Sequence, residues 1–152
     1  VEGGVASRAN DGSTDGDWAN GSVNYTGKGP AWWEVDLEAI REIGNIDVWN
    51  RIDSATKCTS DFYVLVSTDP FGSHDLKETL AQPGVSAVKV DGQCGNPTSI
   101  PFNNAGRYVR VQLTSTTEAM SMAEVQVWSA PPRDDTPPIG HRAEPGNDDQ
   151  SR

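Results

Sequence analysis

Apolar residues along this chain recur at every second position. Trp33, Val35 and Leu37 alternate with Glu34 and Asp36; Ile46 and Val48 run on to Asn50; Tyr63, Leu65 and Ser67 interleave with Phe62, Val64 and Val66. A period of two is that of a strand, whose successive side chains point to opposite faces, and not the 3.6 of a helix. Val88 and Val90, Tyr108 to Leu113, and Val125 to Trp128 continue the pattern with β-branched and aromatic residues. Trp32, Trp33, Trp49 and Trp128 lie on these strands and read as core or strand-flanking packing. Between the strands stand turn-forming clusters: Asn10-Asp11-Gly12, Gly27-Lys28-Gly29-Pro30, Asp91-Gly92 and Asn103-Asn104-Ala105-Gly106. Residues 74–81 admit one helical turn at most. Many short strands with no sustained helical period predict an all-β fold, an antiparallel β-sandwich of the jelly-roll kind.

The alternation stops after Trp128. Ser-Ala-Pro-Pro-Arg-Asp-Asp-Thr-Pro-Pro follows, and Ile139 is the one large aliphatic residue beyond it. Too little apolar surface is present there to offset the entropy of ordering, so residues 129–152 are expected to be a disordered tail or linker and residues 1–128 the folded domain. A total of 152 residues suits one such core and a tail. The formal charge of −10 repels phosphate backbones and anionic membrane surfaces, which excludes nucleic acid as the expected partner. No run of eighteen apolar residues and no charged-then-apolar leader occurs, so neither a membrane span nor a signal peptide is expected within it.

Cys58 and Cys94 lack C-x-x-C spacing, which argues against a zinc or redox site. In an oxidising compartment one disulfide between them is the simplest reading. It would close a loop of 37 positions, worth on the order of 3–4 kcal/mol in the chain-entropy model; two buried thiols are the alternative. Catalytic signatures are missing: there is no nucleophile elbow or Walker loop, and His74 is the one histidine in the expected domain. Asp61, Asp69 and Asp75 read as solvated turn residues. No carboxylate pair stands at places that would define a glycosidase cleft, so the domain is expected not to be an enzyme, although it could be appended to one.

Three stretches rise above composition. The first is Ala6-Ser7-Arg8-Ala9-Asn10-Asp11-Gly12, with Gly21-Ser22-Val23-Asn24-Tyr25-Thr26 and the strand Ala31-Trp32-Trp33-Glu34-Val35-Asp36-Leu37. The second is Val48-Trp49-Asn50-Arg51-Ile52-Asp53, running on to Ser60 through Ser67. The third is Gly106-Arg107-Tyr108-Val109-Arg110-Val111-Gln112-Leu113, closed by Ser121-Met122-Ala123-Glu124-Val125-Gln126-Val127. In this order and spacing they resemble the F-type lectin (fucolectin) domain, a jelly-roll relative of the discoidin domains of coagulation factors and galactose-binding-domain-like in architecture. The likeness covers nearly all of residues 5–128.

The resemblance implies a shallow loop pocket that binds L-fucose-containing glycans without catalysis. Cationic side chains suit that task, because they donate several hydrogen bonds to the hydroxyls and ring oxygen of a neutral sugar. The family pattern is a histidine, then R-x-D, then a second Arg or Lys. Arg51 and Asp53 match R-x-D, with Asp53 expected to orient its basic neighbour. The histidine's place falls to Tyr25 by motif alignment or to Asn24 by strict counting. The second cation's place holds Cys58, with Lys57 one residue early. Trp18, in the polar loop Asp15-Gly16-Asp17-Trp18-Ala19-Asn20, is the expected stacking platform beside the sugar.

The resemblance also implies a structural Ca²⁺. Its ligands carry over to the carbonyls of Arg8, Ser13 and Ala123, the side chains of Asp11 and Glu124, and Ser22. Six oxygens including two carboxylates are what such an ion requires. The expected partners are therefore fucosylated glycans or other neutral saccharides, met outside the cell, with avidity supplied by oligomerisation or by a larger parent protein. A discoidin-like protein-interaction domain with a degenerate pocket is the alternative.

Overall fold

A computed structural model describes residues 4–54 and 58–131. Lys57, and the expected tail from residue 132 onward, lie outside the described residues. Five antiparallel strands carry the fold: β1 (Trp32–Asn50), β2 (Ser60–Ser67), β3 (Ser86–Gln93), β4 (Thr98–Leu113) and β5 (Met122–Ser129). They are hydrogen-bonded in the order β3-β2-β4-β1-β5. One six-residue helix, α1 (Leu76–Ala81), follows β2; the Asp75 side chain caps it by accepting from the Glu78 N–H at 2.9 Å.

A single ladder becomes a sandwich because its two longest strands break register twice. β1 pairs with β4 through Trp32–Asp36 and again from Arg41, with a further shift between Ile43 and Asn45. Extra residues at such bulges bend a strand and raise its twist. The N-terminal half of β1 therefore joins the layer of β4, β2 and β3 by pairing with the end of β4, whereas its C-terminal half pairs with the start of β4 and with β5. Val64, Val66, Val109, Val111 and Trp33 from the first layer meet Ile46, Val48, Ile100, Met122 and Val125 from the second in one buried cluster. Period-two alternation named all of these except Ile100 and Met122.

Two clusters that read as turns prove to be bulges inside strands. Asp91-Gly92 falls within β3, where Gly92 takes φ +81 and its N–H donates to Asp61 Oδ1 at 2.7 Å. Asn103 to Gly106 falls within β4, with Asn103 at φ +53. Left-handed backbone serves a bulge as readily as a turn, and composition does not distinguish the two. Gly106 has a second reason to lack a side chain: a Cβ there would stand 2.2 Å from Val66 Cγ1 and 3.1 Å from Ile43 Cδ1. The two layers close on that backbone.

Leu65 of β2, which pairs with Arg110 of β4, is fully buried, and the segment from Phe71 to α1 lies over Arg110 on that outer face. Arg110 anchors that cover. It is fully buried, and its Nε donates to Glu34 Oε2 at 3.0 Å. Nη1 reaches Ser73 O at 2.7 Å and Thr79 Oγ1 at 3.1 Å. Gln112 Nε2 adds a bond to His74 O at 2.7 Å.

Among the tryptophans Trp33 alone is core. Its indole N–H donates to Ala6 O at 3.0 Å. Trp49 and Trp128 rest on the outer face, their N–H groups bonded to Gln126 and Asp47, while Trp32 is partly exposed. A polar N–H handle lets an indole lie on a sheet surface, so Trp33 is the core member and the others flank their strands.

No disulfide joins Cys58 to Cys94, which corrects the expectation of a bridge. The Cys94 N–H bonds Thr59 O at 2.9 Å, and its thiol is turned inward onto Val48 O at 3.3 Å. Burial pushes this thiol up to about 11, so it remains protonated and poorly reactive at neutral pH.

Candidate functional site

The end of β1, the start of β2, the β3–β4 connection and the start of β5 gather at one end of the sandwich, and Asn50 ties them together. It is fully buried. Its Oδ1 accepts from the N–H groups of Arg51 and Thr59, both at 2.9 Å, and its Nδ2 donates to Cys94 O at 2.9 Å. The Asn50 N–H donates to Asn96 Oδ1 at 3.1 Å. One amide thus replaces the ladder bonds that β1 forfeits where it ends. Thr59 extends the network, as its Oγ1 exchanges bonds with the Ser121 backbone at 2.9 and 3.0 Å. Asn50, Thr59 and Ser121 carried no signal as individual residues; a polar side chain at the last inward position of an alternating strand was the sole hint.

Asn24 belongs to this network. Its Oδ1 accepts from the Met122 N–H at 2.7 Å, its carbonyl accepts from Ser121 Oγ at 2.7 Å, and it is buried. Thr26 N–H bonds Met120 O at 3.0 Å, so residues 24–26 run beside 120–122 as a short extra ladder. Tyr25, next to buried Asn24, is half-buried and meets Trp18 edge-on, with ring centroids 6.2 Å apart.

Arg51 emerges directly from the clamped end of β1. Its Nε donates to Asp53 Oδ1 at 2.5 Å and its Nη2 to Asp53 Oδ2 at 3.3 Å, a fork-on-fork pair. The guanidinium carbon also stands 4.9 Å from the centre of the Trp18 ring, and Arg8 stands 5.9 Å from the same ring. Trp18 is therefore a backing for the cations, where an open stacking platform was expected. The arginine side chain is only 9% exposed while Asp53 is 27% exposed, so the acid at the surface holds the base beneath it. Hydrogen bonding from Arg51 is the main cause that keeps the Asp53 carboxyl below the usual carboxylate range. Ile52, between them, is 61% exposed and offers an apolar surface at the rim.

The loop that carries Trp18 folds on its own side chains. Asp11 Oδ1 accepts from the Ser13 N–H, Asp15 Oδ1 from Asp17 and Asp17 Oδ1 from Ala19, each two residues on. Gly16 lets the loop lie against β1, since a Cβ there would stand 2.6 Å from Asn50 O. Ile52 N–H bonds Gly16 O at 2.9 Å. Asp15 and Asp17 thus shape the loop that packs on the R-x-D segment.

The expected metal ligands partly converge. Glu124 is buried, and its Oε2 has no hydrogen-bond partner among the described residues. Desolvation is the main cause that raises its carboxyl, and the Asp11 carboxylate beside it pushes in the same direction. Ser22 Oγ donates to Ser13 O at 3.3 Å. Among the described residues no three His, Cys, Asp or Glu side chains gather in one place, so any cation here would depend on carbonyl and hydroxyl oxygens as well. A buried carboxylate with an orphaned oxygen, Glu124, beside the exposed carboxylate of Asp11 forms a donor set of the hard-oxygen kind.

Residues 8–111 match the family model described as NedA-like, galactose-binding domain. This chain belongs to that family. The match spans the R-x-D segment, the Asx loop and the first four strands of the galactose-binding domain. Among solved structures, this member resembles a Streptococcus pneumoniae fucose binding module at 30% identity, with 86% of both chains covered and a TM-score of 0.72. It likewise resembles the lectin domain of lectinolysin complexed with Lewis B antigen, at 29% identity over 86% of this chain and 88% of that one, TM-score 0.72. A fucolectin from striped bass (Morone saxatilis) serum shares the fold at 21% identity, over 86% of this chain and 43% of that one, TM-score 0.65. No curated protein sequence matches the chain. The domain is of the carbohydrate-binding-module type, with fucose-binding lectin modules among its structural neighbours.

Proposed function

We propose that this galactose-binding domain is a non-catalytic module that binds fucosylated glycans at the Arg51 end of the sandwich. The observation that carries the reading is the fixed guanidinium. Asp53 grips it in plane and Trp18 covers its face, so little rotamer entropy remains to be lost when a sugar hydroxyl arrives. A guanidinium has five N–H donors, more than one carboxylate occupies, and exposed Ile52 supplies an apolar neighbour suited to a sugar methyl group. The similarity to fucose binding modules and to a lectin domain complexed with Lewis B antigen supports the sugar class.

The test is a glycan array probed with the whole chain and with Arg51→Ala and Arg51→Lys. Fucosylated glycans should be retained in preference to galactose or mannose. Arg51→Ala should lower retention by roughly tenfold or more, the worth of a charge-assisted hydrogen bond, and Arg51→Lys should restore little of it, because an ammonium lacks the fork. A folded Arg51→Ala protein with unchanged retention would reduce the Arg51–Asp53 pair to a structural one.

Calcium is the second part of the proposal. Glu124, Asp11, Ser22 and the Ser13 carbonyl are the groups that would hold it, and the ion would relieve the charge repulsion between the two carboxylates. A carboxyl whose folded pKa is raised binds protons more tightly folded than unfolded. In the metal-free protein its contribution therefore favours the native state at low pH and weakens as pH rises through the folded pKa. Chelation should lower the Tm at neutral pH, and the gap between calcium-loaded and chelated protein should shrink as the pH drops into the carboxylate range. Superimposable melting curves at pH 7 would reject the ion.

A further inference from the structure

A cleft of about 370 Å³ opens beside the Arg51 end. Val5, Tyr25, Thr26, Pro30 and Trp32 form its walls. Its continuity with the arginine runs through two rings and a glycine. Trp18, which backs Arg51, touches Tyr25 edge-on. Gly4 is wedged where they meet, as a Cβ there would stand 2.8 Å from Tyr25 Cβ and 3.1 Å from a Trp18 ring carbon. Tyr25 therefore belongs to both places. At the far side Trp32 is held by His74, stacked at 4.1 Å and 14°.

Chemistry selects the occupant. None of the described residues that line the cleft is charged, and the molecule as a whole is acidic at −10, so sialylated or sulfated units are disfavoured. Aromatic walls with hydroxyl and backbone groups between them suit the mixed apolar and polar surface of a neutral pyranose. The volume lies near the lower end of ligand pockets, about 300–1,000 Å³, which suits one or two sugar units and not a folded partner. We propose that this cleft is an extension subsite, which receives the neutral sugar to which the terminal residue held at Arg51 is linked. The domain would then read an oligosaccharide and not a monosaccharide. This rests on the lectin reading of Arg51.

Isothermal titration with methyl α-L-fucoside and with Lewis b tetrasaccharide separates the two ideas. The unmodified chain should bind the tetrasaccharide several-fold more tightly than the fucoside. Trp32→Ala should weaken the tetrasaccharide roughly three- to tenfold, the range for loss of one aromatic contact, and leave the fucoside unchanged. Val5→Trp is the second variant. It fills the cleft from a position that is 57% exposed, so it tests the same split should Trp32→Ala not fold. Equal affinity of the unmodified chain for both sugars, or variants that weaken both ligands alike or neither, would overturn the subsite while the Arg51 reading stands. Failure of the unmodified chain to bind either sugar would overturn both.

Discussion

Asn50→Ala should be the most damaging single change at the loop end, lowering stability by about 3–5 kcal/mol. The estimate follows from what the side chain satisfies. Removing it strips the acceptor from the Arg51 and Thr59 N–H groups and the donor from Cys94 O, all within hydrogen-bond distance of a fully buried amide. Each buried polar group left without a partner costs roughly 1–3 kcal/mol, reduced where water can enter the space vacated. Domains of this size are stable by only about 5–15 kcal/mol, so a large share is lost. Urea denaturation gives the loss directly. Asn50→Asp keeps the oxygen acceptor and loses the donor, and it should fall between the two. A second readout is glycan retention, which should fall as well, because the backbone of Arg51 hangs from this amide. A midpoint within about 1 kcal/mol of the unmodified protein would show that the loops hold together without the clamp.

Arg110→Met should follow closely, at about 3 kcal/mol, with its effect concentrated on a different part of the molecule. Truncating one partner of a buried ion pair typically costs about 3–5 kcal/mol, and the lower figure applies because the Glu34 side chain is 25% exposed and can rehydrate. Arg110 Nη2 lies 2.9 Å from Glu34 Oε2 but outside hydrogen-bond direction, so Nε carries the bond to this carboxylate. The guanidinium also rests 4.3 Å from the Phe71 ring centre. Without it, Ser73 O and Thr79 lose a donor, and the cover over β2 loosens. Hydrogen exchange should accelerate at Leu76–Ala81 and along the outer face of β2 before it does so in β5. Uniform acceleration would mean that Arg110 stabilises the sandwich globally and not through that cover.

Much of the architecture is legible from residue order. Alternation at Trp33–Leu37, Ile46–Asn50 and Phe62–Ser67 describes strands that the structure contains, and the residues it assigns inward are those of the core. The helical turn expected near residues 74–81 is α1. What misled was glycine and asparagine chemistry at 91–92 and 103–106, since positive φ is shared by turns and bulges and only the pairing partner distinguishes them. Alternation left open which tryptophans are core and which flank a strand, as an indole can be apolar on its faces and bonded at its edge. At the candidate site, Arg51 and Asp53 could be paired from sequence because they stand two positions apart. The position of Trp18 over Arg51, some thirty residues later in the chain, could not.

Order along the chain alone determined the strands, the acidic character, and the motif that joins arginine to aspartate, because each is a property of near neighbours or of composition. Tertiary structure decided the rest: that the Cys94 thiol bonds Val48 O, that Glu124 is buried beside Asp11, and that Asn50 joins the end of β1 to the segments at Thr59 and at Cys94–Asn96. Those contacts join residues dozens of positions apart. Their geometry depends on how bulged strands fold one ladder into two layers, which no local preference encodes.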